Sequence, residues 1–339
     1  MKILIDTKGG DHSPLELVEG SILASKKNKS TKFVLFGDKQ KIEEILKTEK
    51  ADMDRFEVVD SPDEIENTES PTMAIKTKKQ SSMVMAFERL KSEEEESGMI
   101  SCGSTGAILT GAILKIGRVP GVSRPSLAPV IPTNNGGKVM LIDSGANMDC
   151  KPINLCHFAL MGSAYMKAME GIEKPRVALL NVGTEDKKGN ELTHAVFPLL
   201  KELDINFVGN MEARDILSGN YDVVVTDGFA GNILLKGLES MAGQIMGEIK
   251  HAVKTSFKAK IGALFMKDTL KGIKKKFDYN AIGGSIFLGA RKIVVKAHGA
   301  SKRGAILACC EQIEKLLDNN LNQNIEEMIK NAKSLEVAN

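Results

Sequence analysis

Short apolar runs alternate with longer segments of helical period along most of the chain. Several runs show no alternation of apolar and polar residues, which is typical of strands that are covered on both faces. Strands that alternate with helices at this spacing predict βαβ units, a largely parallel sheet and therefore an α/β fold. The predicted strands are Ile3–Ile5, Phe33–Phe36, Phe56–Val59, Met99–Cys102, Val139–Ile142, Val177–Leu180, Ile205–Val208 and Val223–Thr226.

Gly-rich polar segments follow five of these runs. Ligands of such sheets bind beyond the carboxyl ends of the strands, so these segments are expected to hold the site. Glycines let the backbone approach a ligand closely, and amides at a helix start suit an anion. In the first segment, Ser13 is predicted to cap a helix that has Pro14 at its first position and Glu16 in a capping box. The segments, which together predict a shared anion-binding cleft, are Asp6–Pro14, Gly103–Gly106, Asp143–Pro152, Asn181–Glu191 and Asp227–Asn232.

Nucleotide and metal sites find little support in the sequence. There is no GxGxxG motif, and the approach to a P-loop at Gly284–Gly289 continues with Ala-Arg instead of Lys-Ser/Thr. The five cysteines form no CxxC pair and no Cys/His metal spacing, which predicts reduced, buried and inert thiols. No carboxylate/His cluster has the spacing of a known metal motif, so no metal is expected.

Two of the five histidines lie in candidate loops. His12 belongs to the first Gly-rich segment, and His298 follows the apolar run Ile293–Val295 together with Lys296. A loop that pairs His and Lys after a strand suits phosphate binding or acid–base chemistry, although a structural hydrogen bond is an equal alternative for each His. The other three are expected to have surface or capping roles; they are His157, His194 and His251.

The composition describes a globular chain without a membrane span. The chain has 339 residues, 42% of them hydrophobic, which suits two domains or one large α/β unit and excludes wholesale disorder. The first apolar run ends at Asp6, too early for a signal peptide, and no stretch reaches the ~20 apolar residues of a spanning helix. We therefore expect a cytoplasmic protein. The net charge of +2 would by itself exclude an electrostatic binder of nucleic acid or membrane.

That net charge conceals a strongly basic segment. Lys250–Lys276 contains nine Lys and one acid, a local charge of +8 that leaves −6 for the rest of the chain. Its apolar residues recur at i, i+4, i+8, i+11 and i+12, which predicts one apolar face of a helix; they are Val253, Phe257, Ile261, Leu264 and Phe265. An ordinary core helix is one interpretation, and a basic helix on an anionic membrane or an acidic protein is the favoured one. With no Trp and three Tyr, base stacking on nucleic acid has little support.

A set of specific motifs runs in order along nearly the whole chain: Gly9–Pro14, Lys79–Met83, Arg124–Pro129, Gly145–Pro152, Lys188–Leu192, Gly209–Glu212, Thr226–Asn232, Gly283–Gly284 and Lys296–Gly299. On these motifs, from Met1 to about Ile313, the chain resembles the bacterial phosphate acyltransferases, the PlsX family. It departs from the family's usual pattern at Ser104, at Ser285–Phe287 and at Lys302–Arg303.

The resemblance implies a fold, a reaction and partners. The fold would be a three-layer αβα body similar to isocitrate and isopropylmalate dehydrogenases and phosphotransacetylase, working as a homodimer. Inorganic phosphate would attack the thioester of a long-chain acyl-[acyl carrier protein], and the acyl phosphate would feed a glycerol-3-phosphate acyltransferase for phospholipid synthesis. No cofactor of the chain's own is implied, because phosphopantetheine arrives on the acyl carrier protein. The family also implies peripheral contact with the inner face of the cell membrane.

The expected organisation is a single α/β domain over 1–317 with a basic helical insertion at about 250–277. Residues 318–339 are expected to form a polar tail, with a short docking helix through Ile325, Met328, Ile329 and Leu335 as an alternative. The residues predicted to meet membrane or carrier protein are Phe257, Ile261, Leu264, Phe265, Lys254 and Lys258.

Phosphate and a developing thioester oxyanion in one site call for amides and cations aimed at negative charge. Asn147 and Asn232 are predicted to donate to the thioester carbonyl, and Asp227 or His298 to orient or deprotonate phosphate. The other anion-binding candidates are Gly9, Gly10, Asp11, His12, Ser13, Ser104, Thr105 and Ser301, with Lys188 and Lys296 as catalytic cations. A phosphotransacetylase-like enzyme that uses acyl-CoA, an NAD-dependent decarboxylating dehydrogenase and a non-enzymatic membrane or nucleic-acid binder remain the alternatives.

Overall fold

A computed structural model of the chain describes residues 1–269, 272 and 283–332, in which helices flank two mostly parallel β-sheets. The strands are β1 (Lys2–Asp6), β2 (Lys32–Gly37), β3 (Phe56–Asp60), β4 (Ser97–Ser101), β5 (Ser126–Ala128), β6 (Val130–Pro132), β7 (Lys138–Ile142), β8 (Arg176–Asn181), β9 (Asn206–Glu212), β10 (Val223–Val225), β11 (Ser285–Leu288) and β12 (Ile293–Lys296). The α-helices are α1 (Leu15–Lys27), α2 (Lys39–Thr48), α3 (Pro71–Thr77), α4 (Ser82–Ser92), α5 (Thr105–Gly111), α6 (Pro152–Glu170), α7 (Glu191–Glu202), α8 (Gly228–Thr255), α9 (Phe257–Phe265), α10 (Arg303–Asp318) and α11 (Leu321–Asn331).

The strand order explains which strands the sequence reveals. Seven strands form one sheet in the order β3-β2-β1-β4-β12-β11-β5, and five form a second in the order β6-β7-β10-β8-β9. All eight apolar runs overlap strands with parallel partners, so the predicted parallel architecture is confirmed. The strands that the sequence did not predict, β5, β6 and β11, have three or four residues and pair antiparallel. Shortness alone does not hide them, since the three-residue β10 is an unbroken run of Val and was predicted, whereas β5 and β11 begin with Ser and β6 ends with Pro.

Helix α6 forms the centre of the larger core and is buried along nearly its whole length. Pro152 at its first position fits the helix start, and Gly171 ends it in the left-handed conformation with φ of 69°. The helix packs on β7 and β10 and against α7, α10 and α11. A helix that is apolar on all sides is suited to such a central place, and α6 thereby ties the second sheet to the C-terminal helices.

The predicted polar tail contains helix α11, which packs against α6. Leu321 and Ile325 of this helix are fully buried, and Met328 and Ile329 pack against the same core. The chain is therefore docked as far as residue 332, as the alternative interpretation of this segment had it. Leu335 lies outside the described residues.

In the described part of the basic segment, the chain does not form one continuous helix, because α8 and α9 are separate. Helix α8 ends at Thr255, Ser256 is extended with φ of −119° and ψ of 127°, and its Oγ accepts a hydrogen bond from Ala259 N at 3.3 Å. The predicted single apolar face was therefore wrong for Val253, which lies on α8, whereas the other four apolar residues lie on α9. Lys271, Lys274, Lys275 and Lys276 lie outside the described residues. No helix in the described ranges is long and apolar enough to cross a membrane.

Candidate active site

Three loops at the carboxyl edge of the seven-stranded sheet contact one another. The loop after β1 lies against the loop after β4 so closely that a Cβ on Gly9 would stand 2.6 Å from the Cα of Gly103. It also reaches the loop after β12, where Gly299 O accepts a hydrogen bond from Asp11 N at 2.9 Å. Only residues without a Cβ permit the first of these approaches. Of the five Gly-rich segments predicted to assemble, the structure thus brings the first two together, along with the loop after β12.

A buried carboxylate that the sequence analysis did not assign supports these loops. Asp6, the last residue of β1, is paired in register with Ser101 of β4 and accepts a hydrogen bond from its Oγ at 2.7 Å. It also accepts hydrogen bonds from Ser82 Oγ at 2.5 Å and from Lys8 N at 3.2 Å. Burial raises the pKa of Asp6, while these bonds act in the opposite direction. The available signal was an acid directly after an apolar run.

The predicted helix cap at Ser13 was wrong. Helix α1 begins at Leu15, and the residue before it, Pro14, makes no side-chain cap. Ser13 Oγ instead accepts a hydrogen bond from Gly10 N at 2.8 Å, which shapes the loop from within. Glu16 is engaged elsewhere, because its carboxylate accepts a hydrogen bond from Arg303 N at 2.7 Å at the start of α10. The predicted cap is therefore absent because Ser13 bonds within its own loop and Glu16 bonds to a residue far along the chain.

The loop after β7 is organised around Asp143, which is fully buried. Burial raises the pKa of this carboxyl, and the hydrogen bonds that it accepts counteract that rise. Asn147 belongs to this cluster, since its Nδ2 donates to Asp143 Oδ2 at 2.9 Å and to Pro125 O at 2.8 Å. The groups that donate to Asp143 are Leu127 N, Gly145 N, Ala146 N, Asn147 N and Asn147 Nδ2.

An open cleft of about 1180 Å³ lies between the loops of the two sheets. It brings together four of the predicted site residues, which are Thr105, Asn232, Lys296 and His298. Asn232, in the first turn of α8, lies against the loop after β7, where a Cβ on Gly145 would stand 2.4 Å from its Nδ2. Since Asn147 bonds to Pro125 and Asp143, Asn232 is the predicted amide that lines the cleft. Helix α8 also contributes Lys236 and Glu239, which the sequence analysis did not single out.

The cleft carries donors that suit an anion. Burial lowers the pKa of Lys296, which forms no ion pair with any described residue. His298 Nδ1 accepts a hydrogen bond from Ala300 N at 3.2 Å. A neutral imidazole that accepts at Nδ1 carries its proton on Nε2, from which it can donate. Lys296, His298 and the Asn232 amide therefore offer a cation and two N–H donors to one space.

Other predicted site residues lie outside the lining of this cleft. Asp227 caps α8, and its Oδ1 accepts a hydrogen bond from Ala230 N at 2.7 Å. Lys188 is exposed in the loop after β8. His12 is exposed beside Asp11, Ser301 is buried in the loop after β12, and Ser104 precedes Thr105 without making a side-chain cap.

The cysteines do not offer a nucleophile. All five are free. Burial raises the pKa of Cys102, Cys150 and Cys156 to about 12 in each case, so these side chains are thiols at neutral pH. The described residues contain no group of three or more His, Cys, Asp or Glu side chains placed to hold a metal ion.

The surface or capping role predicted for His157 was wrong. Its side chain is buried in α6, and its Nδ1 accepts a hydrogen bond from Ser123 N at 3.0 Å. Burial lowers the pKa of His157 to about 4. His157 is therefore a neutral side chain of the core. His194 and His251 are exposed, and the former contacts Lys187 O through Nε2 at 3.1 Å.

Sequence comparison places the chain in a family. A family model described as "Fatty acid synthesis protein" matches residues 1–324. A phosphate acyltransferase of Lysinibacillus sphaericus is 41% identical over 330 residues, which cover 97% of this chain and 98% of that protein. A phosphate acyltransferase of Clostridium perfringens strain SM101 is 44% identical over 330 residues, 97% of each chain. The chain belongs to the phosphate acyltransferase (PlsX) family. The predicted family and the predicted enzyme class, an acyltransferase, are confirmed.

Solved structures share the fold of this family member. A phosphotransacetylase from Streptococcus pyogenes matches with a TM-score of 0.61 at 17% identity, covering 93% of this chain and 94% of that one. The EutD phosphotransacetylase from Staphylococcus aureus matches with a TM-score of 0.57 at 15% identity, covering 96% and 94%. At these identities the likeness concerns the fold alone, and it confirms the predicted three-layer α/β architecture.

Proposed function

We propose that the chain transfers a long-chain acyl group from acyl-[acyl carrier protein] to inorganic phosphate, producing an acyl phosphate. The observation that carries this proposal is one cleft in which the anion donors Asn232, Lys296 and His298 accompany an apolar arm, the part of the lining that α8 and α10 supply through Leu235, Ala242, Met246, Leu307 and Ala308. The acyl phosphate would then serve a glycerol-3-phosphate acyltransferase in phospholipid synthesis. Membership of the phosphate acyltransferase family supports phosphate as the acceptor.

The polar end of the cleft suits the reacting groups. Lys296 and His298 would hold phosphate, and Asn232 would donate to the thioester carbonyl oxygen, where negative charge develops in the transition state. A phosphate oxygen attacks the carbonyl carbon, a C–O bond forms, the C–S bond breaks, and the carrier's thiolate then takes up a proton. Because phosphate is already partly dianionic near neutral pH, holding the two reactants together supplies much of the rate without a covalent enzyme intermediate.

The apolar arm favours a long acyl chain over an acetyl group. Asn232 and Met246 both line the cleft and are separated by fourteen residues of α8, or about 21 Å along the helix axis. Between them α8 contributes the apolar Leu235 and Ala242 beside the charged Lys236 and Glu239, and α10 faces them with Leu307 and Ala308. An acetyl group would leave most of this wall uncovered, whereas a long chain would bury it, and burial of apolar surface is favourable.

Two exposed surfaces support the proposed assembly and membrane contact. One side of α8 is apolar and more than half exposed, as expected of a face that a second copy covers in a homodimer; its residues are Phe229, Ile233, Met241 and Ile245. Helix α9 exposes apolar side chains beside lysines, which suits an anionic membrane surface; these are Phe257, Ile261, Leu264 and Phe265, with Lys254 and Lys258 adjoining.

The decisive experiment is incubation with palmitoyl-[acyl carrier protein] and phosphate, with the acyl phosphate trapped by hydroxylamine as the hydroxamate. We expect product that depends on both substrates, and none when sulfate replaces phosphate. Palmitoyl-CoA and acetyl-CoA in parallel reactions test the donor. Product from acetyl-CoA alone would establish the phosphotransacetylase-like alternative, and no product from any donor would overturn the proposed function.

A further inference from the structure

Two helices form opposite walls of the apolar arm. Along α8 the lining residues after Asn232 recur three or four positions apart, so they share one helix face; they are Leu235, Lys236, Glu239, Ala242, Gly243 and Met246. The facing wall is α10, with Gly304 and Ala305 near its start, Leu307 and Ala308 further along, and the polar Glu311 and Gln312 beyond them. The arm thus begins beside the polar loops and continues along α8.

Gly243 is the position in this wall at which a side chain is missing without a packing reason. A Cβ built on Gly243 meets no atom within 4 Å, although glycine in a helix interior costs stability relative to alanine. Gly20 in α1 provides a contrast, because a Cβ there would stand 2.5 Å from Ile306 Cβ of α10. Close helix packing explains Gly20 and does not explain Gly243. Gly243 is exposed and lines the open cleft, so what glycine provides at 243 is open space beside α8 into which a side chain would project.

The distance of Gly243 from the polar residues of the cleft relates this open space to the length of a bound acyl chain. It lies eleven residues beyond Asn232, about 16 Å along the helix axis from the polar end. Met246 follows nearly one turn later and also lines the cleft. Methionine is flexible and fills irregular apolar gaps, so Met246 is suited to contact the end of chains of different length.

We propose that Gly243 and Met246 determine the longest acyl chain that the cleft accepts. This inference rests on the proposed acyl transfer and identifies the part of the substrate that the distal half of the arm holds. A short acyl chain that ends before Gly243 would bind equally well after a substitution at this position. A long acyl chain that extends past Gly243 would bind less well if a bulky side chain filled the space.

The test compares palmitoyl- and octanoyl-[acyl carrier protein] as donors for the wild type, Gly243→Leu and Gly237→Leu. Gly237 is a control for helix propensity, since it lies on α8, has open space at its Cβ position and does not line the cleft. Because it lies between Ile233 and Met241 on the face proposed to meet a second copy, the molar mass of Gly237→Leu in solution is first shown to equal that of the wild type. Both substitutions raise helix propensity equally, so a difference between them reports the cleft. The measured quantity is the ratio of kcat/KM for palmitoyl to kcat/KM for octanoyl transfer.

We expect Gly243→Leu to lower this ratio by about tenfold or more, since one misplaced methylene already changes selectivity by that order. Gly237→Leu should keep the wild-type ratio. Met246→Ala, assayed also with stearoyl-[acyl carrier protein], should raise the ratio of kcat/KM for stearoyl to kcat/KM for palmitoyl transfer. An unchanged ratio in Gly243→Leu, or an equal shift in both glycine variants, would overturn this inference alone. A wild-type chain inactive with every donor would overturn the proposed function and this inference with it.

Discussion

Gly9 and Gly103 meet backbone to backbone, and a Cβ on Gly9 would stand 2.6 Å from the Cα of Gly103. This contact joins the loops after β1 and β4, beneath which Asp6 bonds to Ser101. The strand exits of the seven-stranded sheet are thus held at one fixed spacing. A site that binds phosphate through such loops depends on this spacing more than on any one side chain.

Gly9→Ala should therefore separate the two loops. We expect the free energy of unfolding to fall by about 1–3 kcal/mol, the usual cost of overpacking, and the KM for phosphate to rise. Thermal denaturation and hydroxamate assays at varied phosphate measure the two effects. Gly237→Ala, where a Cβ meets open space, is the control for the substitution itself. Wild-type stability and KM in Gly9→Ala would contradict the close contact.

Replacing Lys296 should weaken transfer and alter its pH dependence. Lys296→Met removes the cation from the cleft, and we expect kcat/KM for phosphate to fall by about 10²–10³-fold. Burial lowers the pKa of Lys296, so its charge is lost as the pH rises through that lowered value. Wild-type activity should then decline on the alkaline side, while Lys296→Arg should keep its residual activity to higher pH. Identical alkaline limbs in the two proteins would remove Lys296 from the anion site.

Replacing His298 is expected to reduce activity far more than replacing Lys188, although the sequence motifs suggested a catalytic role for both residues. His298 lines the cleft and Lys188 is exposed outside it, so His298→Ala should cost about 10²-fold in kcat/KM and Lys188→Ala much less. The two variants are compared in the same hydroxamate assay at saturating acyl donor. Full activity in either variant excludes that residue from catalysis.

The fold was predictable where burial produces a pattern of apolar residues in the sequence. The site was predictable only in part. Parallel strands covered on both faces appear as unbroken apolar runs, and some of their exits lie together, whereas the loop after β8 lies outside the cleft. Asn147 and Asn232 could not be told apart, because both follow Gly-rich loops, and the difference is that Asn147 bonds to Pro125, twenty-two residues away. His157 was misjudged for the same reason, since its partner Ser123 lies thirty-four residues away. The sequence around a residue does not show which distant residues it will contact.

His157 should make stability depend on pH below neutrality. Burial lowers its pKa in the folded protein to about 4, against an ordinary value of 6.5. Between these values the unfolded chain binds a proton that the native chain does not, so stability present above pH 6.5 is lost progressively towards pH 4, by about 3 kcal/mol at most. Urea denaturation of the wild type and of His157→Asn, which keeps an acceptor for Ser123 N, measures the difference. Parallel curves for the two proteins would contradict a buried neutral histidine.

Helix α9 should bind anionic vesicles through its exposed apolar side chains and its lysines. Phe257 is 77% exposed, so it has no packing role in the chain, and inserting such a ring into the interface is worth about 1.5–3 kcal/mol. Phe257→Glu should therefore lower the vesicle-bound fraction roughly tenfold in co-sedimentation, and added salt should lower wild-type binding because it screens the lysines. Val182→Glu is the matched control, since Val182 is 78% exposed and lies outside α9. Binding that responds neither to salt nor to Phe257→Glu would exclude this helix as the membrane contact, and an equal loss in Val182→Glu would show that added charge alone is responsible.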